Sequence, residues 1–346
     1  MNLSLSRAAL YVFTAGCLGL AALSAVSSLA AQAIIVNTDV HSDVYGNGAP
    51  PYGSGPPIAD PNYNTVVVNS VTVGENVYGG YSESGSTVAN NSVAIRGGMV
   101  TWGVFGGGCN GDATGNKVAI NDSQMSYVFG GYSFSGDVTG NSVAVSSSMV
   151  NDVYGGMSAN GNVAHNSVTI NGGAVFGNVY GGFSFNGNTT YNTVTLYGTP
   201  DLGASTTIYG GNDAGDAFTG NSLDLHSTGL TVDALGSFEF LNFYLPATLG
   251  AGDAMLTVTG TAYLTEFING AGRFSIVNVG IDGASSPLKL GDTVTLIQAG
   301  TLIAGSGLNA TANGQDMRGV TLRYEFDITT ANNQLLATVT KAGTSE

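Results

Sequence analysis

The sequence predicts an all-β protein: a parallel β-helix (β-solenoid) of about 25-residue coils with an irregular β-rich C-terminal cap. Three observations predict it. An aromatic residue followed by two glycines recurs at Tyr78, Phe105, Phe129, Tyr154, Tyr180 and Tyr209. An asparagine opening a short aliphatic strand follows each by about 12 residues, at Asn91, Asn116, Asn141, Asn166, Asn192 and Asn221. The composition holds 53 glycines and only 9% charged residues, whereas an ordinary soluble domain is roughly 25% charged.

The chain opens on a segment of export type. Arg7 is the sole charge before Asp39, an apolar run follows over residues 8–23, and Ala31-Gln32-Ala33 offers a small-residue cleavage site. Residues 1–33 are therefore expected to be a signal peptide. The run is short for a membrane anchor, and no basic cluster follows to stop transfer. Removal of that segment takes Cys17 and leaves Cys109 alone, so no intrachain disulfide is expected. Residues 34–66 are read as an N-terminal leader or cap segment.

Residues 67–229 carry the regular repeats. In Asn91-Ser92-Val93-Ala94-Ile95 the apolar residues alternate, so Val93 and Ile95 share one face and Ser92 and Ala94 the other. The inward columns across copies run Val93, Val118, Val143, Val168, Val194, Leu223 and Ile95, Ile120, Val145, Ile170, Leu196, Leu225. A third aliphatic column precedes the glycine pairs, at Val77, Val104, Val128, Val153, Val179 and Ile208. Asn69 to Val73 reads as a degenerate earlier copy. One such unit cannot bury its own apolar face, but stacked units can. Equivalent strands then pair in parallel about 4.8 Å apart. Identical residues fall into ladders: an amide ladder from the asparagines and an aromatic ladder from the tyrosines and phenylalanines. The glycine pairs are expected to turn tight corners with positive φ. Charge is scarce because like charges in register would repel along every ladder. A β-propeller fits poorly, since its blades need about 40 residues and four strands.

Residues 230–346 break the period but stay β-rich, with strands expected at residues 238–246, 255–259, 274–279, 293–297, 320–326 and 335–339. Most basic residues lie here, including Arg273, Lys289, Arg318, Arg323 and Lys341. A bare terminal coil would be an open sheet edge, so this part is read as irregular coils plus a cap.

These repeats, of the form V-Y-G-G-Y-S followed by G-N-S-V-x-I, resemble the passenger region of bacterial autotransporters. The tail is similar to the passenger segment just ahead of their outer-membrane barrel, through LNFYLPATLGAGDAMLTVTGTA (241–262), VNVGIDGASSPLKLGDTVTLIQAGTL (277–302) and GVTLRYEFDITTANNQLLATVT (319–340). The resemblance spans most of the chain after the leader. It implies export, a right-handed β-helix and display at the cell surface or release from it. A complete autotransporter continues into a barrel, and nothing after residue 225 has the alternating strands of about 10 residues that a barrel requires. Membrane association is thus expected only through a missing or separate translocator.

Candidate chemistry is sparse. With 8 Lys+Arg against 23 Asp+Glu and a net charge of -15, a nucleic-acid partner is excluded by repulsion. Asp112, Asp137 and Asp216 recur ahead of the asparagines, with Asn162 and Asn188 at the matching places. An acid column for calcium or glycosidic cleavage competes there with turn-closing residues, and the Asp/Asn exchange favours turns. His41, His165 and His226 lack metal-ligand spacing, and no nucleophile motif occurs. Neither a catalytic residue nor a cofactor is expected. Tyr81, Tyr132 and Phe183, just after glycine pairs, are either packed on the aromatic ladder or a stripe for sugar or partner contact. The expected function is a non-enzymatic exported passenger, an adhesin or structural stalk meeting a ligand on a host or neighbouring cell. A polysaccharide-active enzyme on the same scaffold and a self-assembling matrix protein are the alternatives.

Overall fold

A computed structural model describes residues 10–12, 33–47, 60–212, 215–266, 272–305, 309–310 and 320–343. Among them there is no helix, 60% are in strands, and the strands wind into a β-solenoid of about 8 turns. Of the leader, Leu10–Val12 pairs in parallel with the strand Ala33–Val36, while Ala31 and Gln32 lie outside the described residues.

Parallel pairing is continuous from coil to coil. Lys117–Phe129 lies between Ser92–Phe105 and the strands Ser142–Ser146 and Met149–Ser158, with Val118 opposite Val93 and Val143, and Ile120 opposite Ile95 and Val145. The two inward columns and the aliphatic column before the glycine pairs are all 2% exposed or less. They merge into one core that runs the length of the stack. A small second sheet of two-residue strands, among them Val88–Ala89, Ala113–Thr114 and Val138–Thr139, closes the coils. Under it sits a separate core of Val88, Cys109, Ala113, Val138 and Val163.

Pairing begins upstream of residue 67. Ala33–Val36 pairs with Thr65–Val73, and Val44–Tyr45 pairs with Val77–Tyr78. The early copy in register is Asn64 to Val68, because Thr65 faces Ser92 and Val66 faces Val93. Asn69 to Val73 therefore is not the ladder copy: Asn69 stands opposite the exposed Arg96 instead of Asn91. Both segments open on asparagine and continue in β-strand formers, and only the register against the next coil distinguishes them.

The glycine pairs that follow the aromatic residues do not adopt positive φ, unlike Gly97-Gly98 and Gly172-Gly173. They are small because the next coil crosses directly over them: a Cβ on Gly130 would lie 2.2 Å from the Gly155 carbonyl oxygen. The left-handed position falls just before each asparagine, at Asn90, Gly115, Gly140, His165, Tyr191 and Gly220.

Beyond residue 229 the solenoid continues with longer strands. Phe240–Pro246 pairs in parallel with Ser222–Leu225 and Ile276–Asp282, and Ala254–Tyr263 with Leu230–Val232 and Thr293–Ile303. The chain then reverses. Val320–Ala331 and Gln334–Gly343 form a hairpin joined at Asn332-Asn333, both at positive φ as a two-residue hairpin turn requires. This hairpin pairs antiparallel with Thr293–Ile303 and Ile276–Asp282, closing edges that would otherwise be bare.

Candidate functional site

The asparagines sit 0–1% exposed where the main core meets the satellite core. Asn91 donates from Nδ2 and from its backbone N–H to Asn116 Oδ1, at 2.9 and 3.0 Å. Asn116 does the same to Asn141, Asn141 to Asn166, Asn166 to Asn192, and Asn192 to Asn221. Each Nδ2 from Asn116 onward also reaches a backbone carbonyl of an earlier coil, such as Val88 for Asn116 and Ala113 for Asn141. Every amide is thus filled on both sides, the condition under which a buried polar network stabilises. The series extends one coil further than the repeat signature marks, because the Asn64 N–H donates to Asn91 Oδ1 at 2.8 Å.

On the outer side, Tyr78, Phe105, Phe129, Tyr154, Tyr180 and Tyr209 stack face to face with centroids 4.7–5.6 Å apart. Tyr45 stacks on Tyr78 at 4.9 Å and begins the column. A gap of 33 positions separates those two, so the shorter repeat does not reveal Tyr45. The geometry brings Tyr81, Tyr132 and Phe183 edge-on against the column. Tyr132 lies 6.1 and 6.0 Å from Phe105 and Phe129, and Phe183 lies 5.9 and 5.1 Å from Tyr154 and Tyr180. All three stay half-buried, so they pack on the column and still present an edge to solvent.

The acid column is engaged in inter-coil bonding. Asp112 Oδ1 accepts the Asp137 N–H at 2.9 Å, Asp137 the Asn162 N–H, Asn162 the Asn188 N–H, and Asn188 the Asp216 N–H. The bond spans coils instead of closing the residue's own turn. Asp and Asn interchange because the bond common to every step uses a side-chain oxygen that both residues offer. Asp216 differs: its oxygens also cap Phe218 and Thr219.

Asp216 belongs to a cluster that no periodicity marks. Arg273 donates to both oxygens of Glu266, to Thr219 Oγ1 and to Asp216, and stands 5.4 Å over the Phe218 ring. Burial opposes ionisation of Asp216, but bonds from Thr219, Phe218 and Arg273 outweigh it and lower its pKa to about 2. Glu266 holds Arg273 firmly protonated. This is a carboxylate–cation set of the kind a sugar-cleaving site would need. Here the cation bridges both acids, and the set joins the last regular coil to the segment behind it.

Cys109 takes a place held by serines in register, Ser82 on one side and Ser133 on the other. Its thiol donates to the Gly111 carbonyl, and burial pushes its pKa up to about 12. His165 stacks on Tyr191, and His226 lies between Tyr197 and Tyr244 with Nδ1 3.1 Å from Asp282. Among the described residues no three His, Cys, Asp or Glu side chains are grouped to hold a metal.

The solenoid's long outer faces differ in chemistry. One carries Ser92, Ser142, Ser167 and Thr193 with the repeats' two bases, Arg96 and Lys117. The other carries the aromatic column and exposed Met99, Trp102, Tyr127, Met149 and Phe176. No protein-family model matches this chain, and no curated protein is significantly similar to it.

Proposed function

We propose that the protein is an exported, non-enzymatic surface protein of autotransporter-passenger type, acting as an adhesin or structural stalk. The observation that carries this reading is the unbroken parallel stack, in which coils from Ala33 to Ile303 pair in register, on a chain that opens with an export-type segment. A rod of this kind holds its side chains at fixed spacing without needing a catalytic pocket. The engaged acid column and the Arg273 cluster, whose cation is tied to both of its acids, further support a non-enzymatic role.

An epitope placed at Gly85, which projects into open space at a turn, tests the reading. In a producing bacterium with two membranes, antibody should reach the epitope on intact cells or in the medium. Deletion of residues 1–33 should trap the chain in the cytoplasm. Cytoplasmic retention of the full chain would overturn the proposal.

A further inference from the structure

The outward surface of the aromatic face has a composition that the stacking of coils does not require. Met99, Gln124 and Met149 stand in one register column, on strands whose neighbouring Val100, Met125 and Val150 point into the core. Beside that column run Thr101, Ser126 and Asn151, then Phe176. Between the columns lies a shallow depression of about 140 Å³. Trp102 is 57% exposed, Met149 and Phe176 each 45%. Trp102 stands where the strand slips by one residue against Tyr127, and this bulge turns the chain's only tryptophan to solvent.

We propose that this face binds a neutral, extended, β-linked polysaccharide laid along the solenoid axis. Three features select that ligand. First, no ionisable side chain lines the depression, and a net charge of -15 repels acidic polymers. Second, flat or flexible apolar groups alternate with amides and hydroxyls. Sugar rings present C–H faces that sit on Trp102 and Phe176, where slightly positive hydrogens meet the negative π face, and hydroxyls that meet Gln124 and Asn151. Third, the coils repeat every 4.7–4.9 Å here, as the ring spacing of the ladder shows. An extended β-linked chain advances by nearly the same step per sugar, so one coil meets one sugar in register over several coils. The opposite face has the same step but offers mainly alanines and small polar groups with two cations. Its single exposed aromatic among the described residues, Tyr197, stands beside the carboxylate Asp224 instead of in a run of apolar groups.

The inference deepens the surface-protein reading and rests on it only for the ligand being extracellular. Its test uses purified full-length chain, so failed display and failed binding are distinguishable. Affinity electrophoresis is run in gels holding a neutral soluble cellulose derivative, a β-1,4-mannan or a neutral β-1,4-xylan, with helical β-1,3-glucan, α-linked dextran and polyanionic alginate as controls. At least one extended β-linked polymer should retard the protein, and the same polymer should shift Trp102 fluorescence to the blue and shield it from a soluble quencher. Trp102→Ala combined with Phe176→Ala should weaken retardation at least tenfold with an unchanged melting temperature, because both side chains are exposed. Ser142→Ala with Thr169→Ala on the opposite face should leave it unchanged. No retardation and no Trp102 response across the panel would overturn the proposal. So would concentration-dependent dimerisation abolished by Trp102→Ala, which would make a second copy the occupant.

Discussion

Asn141 shows how one side chain holds three coils. Its Oδ1 accepts both the N–H and the Nδ2 of Asn116, while its own Nδ2 donates to Ala113 O and Asn166 Oδ1. Asn141→Ala leaves several buried groups without partners. At roughly 1–3 kcal/mol per orphaned group, the cost is expected to be about 3 kcal/mol or more, read as a lower denaturation midpoint in guanidinium. Cys109→Ser should be nearly silent, within about 0.5 kcal/mol, because serine already fills the register places on either side. The native thiol, protonated up to about pH 12, should resist alkylation at neutral pH and react once the chain is unfolded. Both ladders were legible in the sequence because their members keep phase. Tyr45 was not, because 33 positions separate it from Tyr78 and the phase is lost. Asn64 keeps a 27-position step to Asn91 but is masked by Asn69-Ser70-Val71, which matches the strand signature more closely.

At the scale of the element, coil contact depends on backbone approach as much as on side chains. Gly130→Ala would set a Cβ 2.2 Å from the Gly155 carbonyl oxygen. A backbone atom cannot rotate away as a side chain can, so two coils must part locally. The expected loss is about 1–3 kcal/mol, with hydrogen exchange accelerated first in the strands around residues 129–155. The Arg273 clasp makes a pH-dependent counterpart. Asp216 has a pKa lowered from 3.8 to about 2, so its stabilising contribution is complete above 3.8 and is lost as pH falls toward about 2. The melting temperature should fall across that window, and Asp216→Asn should start lower at neutral pH and fall less. Sequence periodicity gave no hint of this clasp, since Asp216 and Arg273 lie 57 positions apart in segments that share no repeat. The tail strands were legible from alternation alone. Their antiparallel reversal at Val320–Ala331 was not, because alternation sets which residues face inward and says nothing about strand direction.

For the whole molecule, the stack is quasi-one-dimensional: each coil touches its neighbours, and stability accumulates coil by coil. Excising one whole repeat should therefore preserve the fold. Removal of residues 141–165 joins Gly140 to Asn166, and both flanks keep their registers because Val143 already faces Val118 and Val168. Asn116 would donate to Asn166 in place of Asn141, the glycine pair of the lost coil would leave with its own contacts, and the C-terminal hairpin would still close the far end. The shortened chain should give the same β-sheet circular dichroism and a cooperative transition at a modestly lower denaturant midpoint. X-ray scattering should show a rod shorter by about 4.8 Å, one inter-strand spacing. Removing half as many residues, 141–152, must instead place inward aliphatics on the solvent side and set the amide ladder against a strand, so that chain should fail to fold. If both deletions were tolerated equally, side-chain register would not be what holds the coils together. If the whole-coil deletion unfolded the protein, stability would depend on a feature unique to that coil. Deletion of residues 141–165 also removes Met149 from the aromatic face while keeping Trp102, Gln124 and Phe176. Binding to an extended ligand should then weaken in proportion to the lost length, whereas the fold should not.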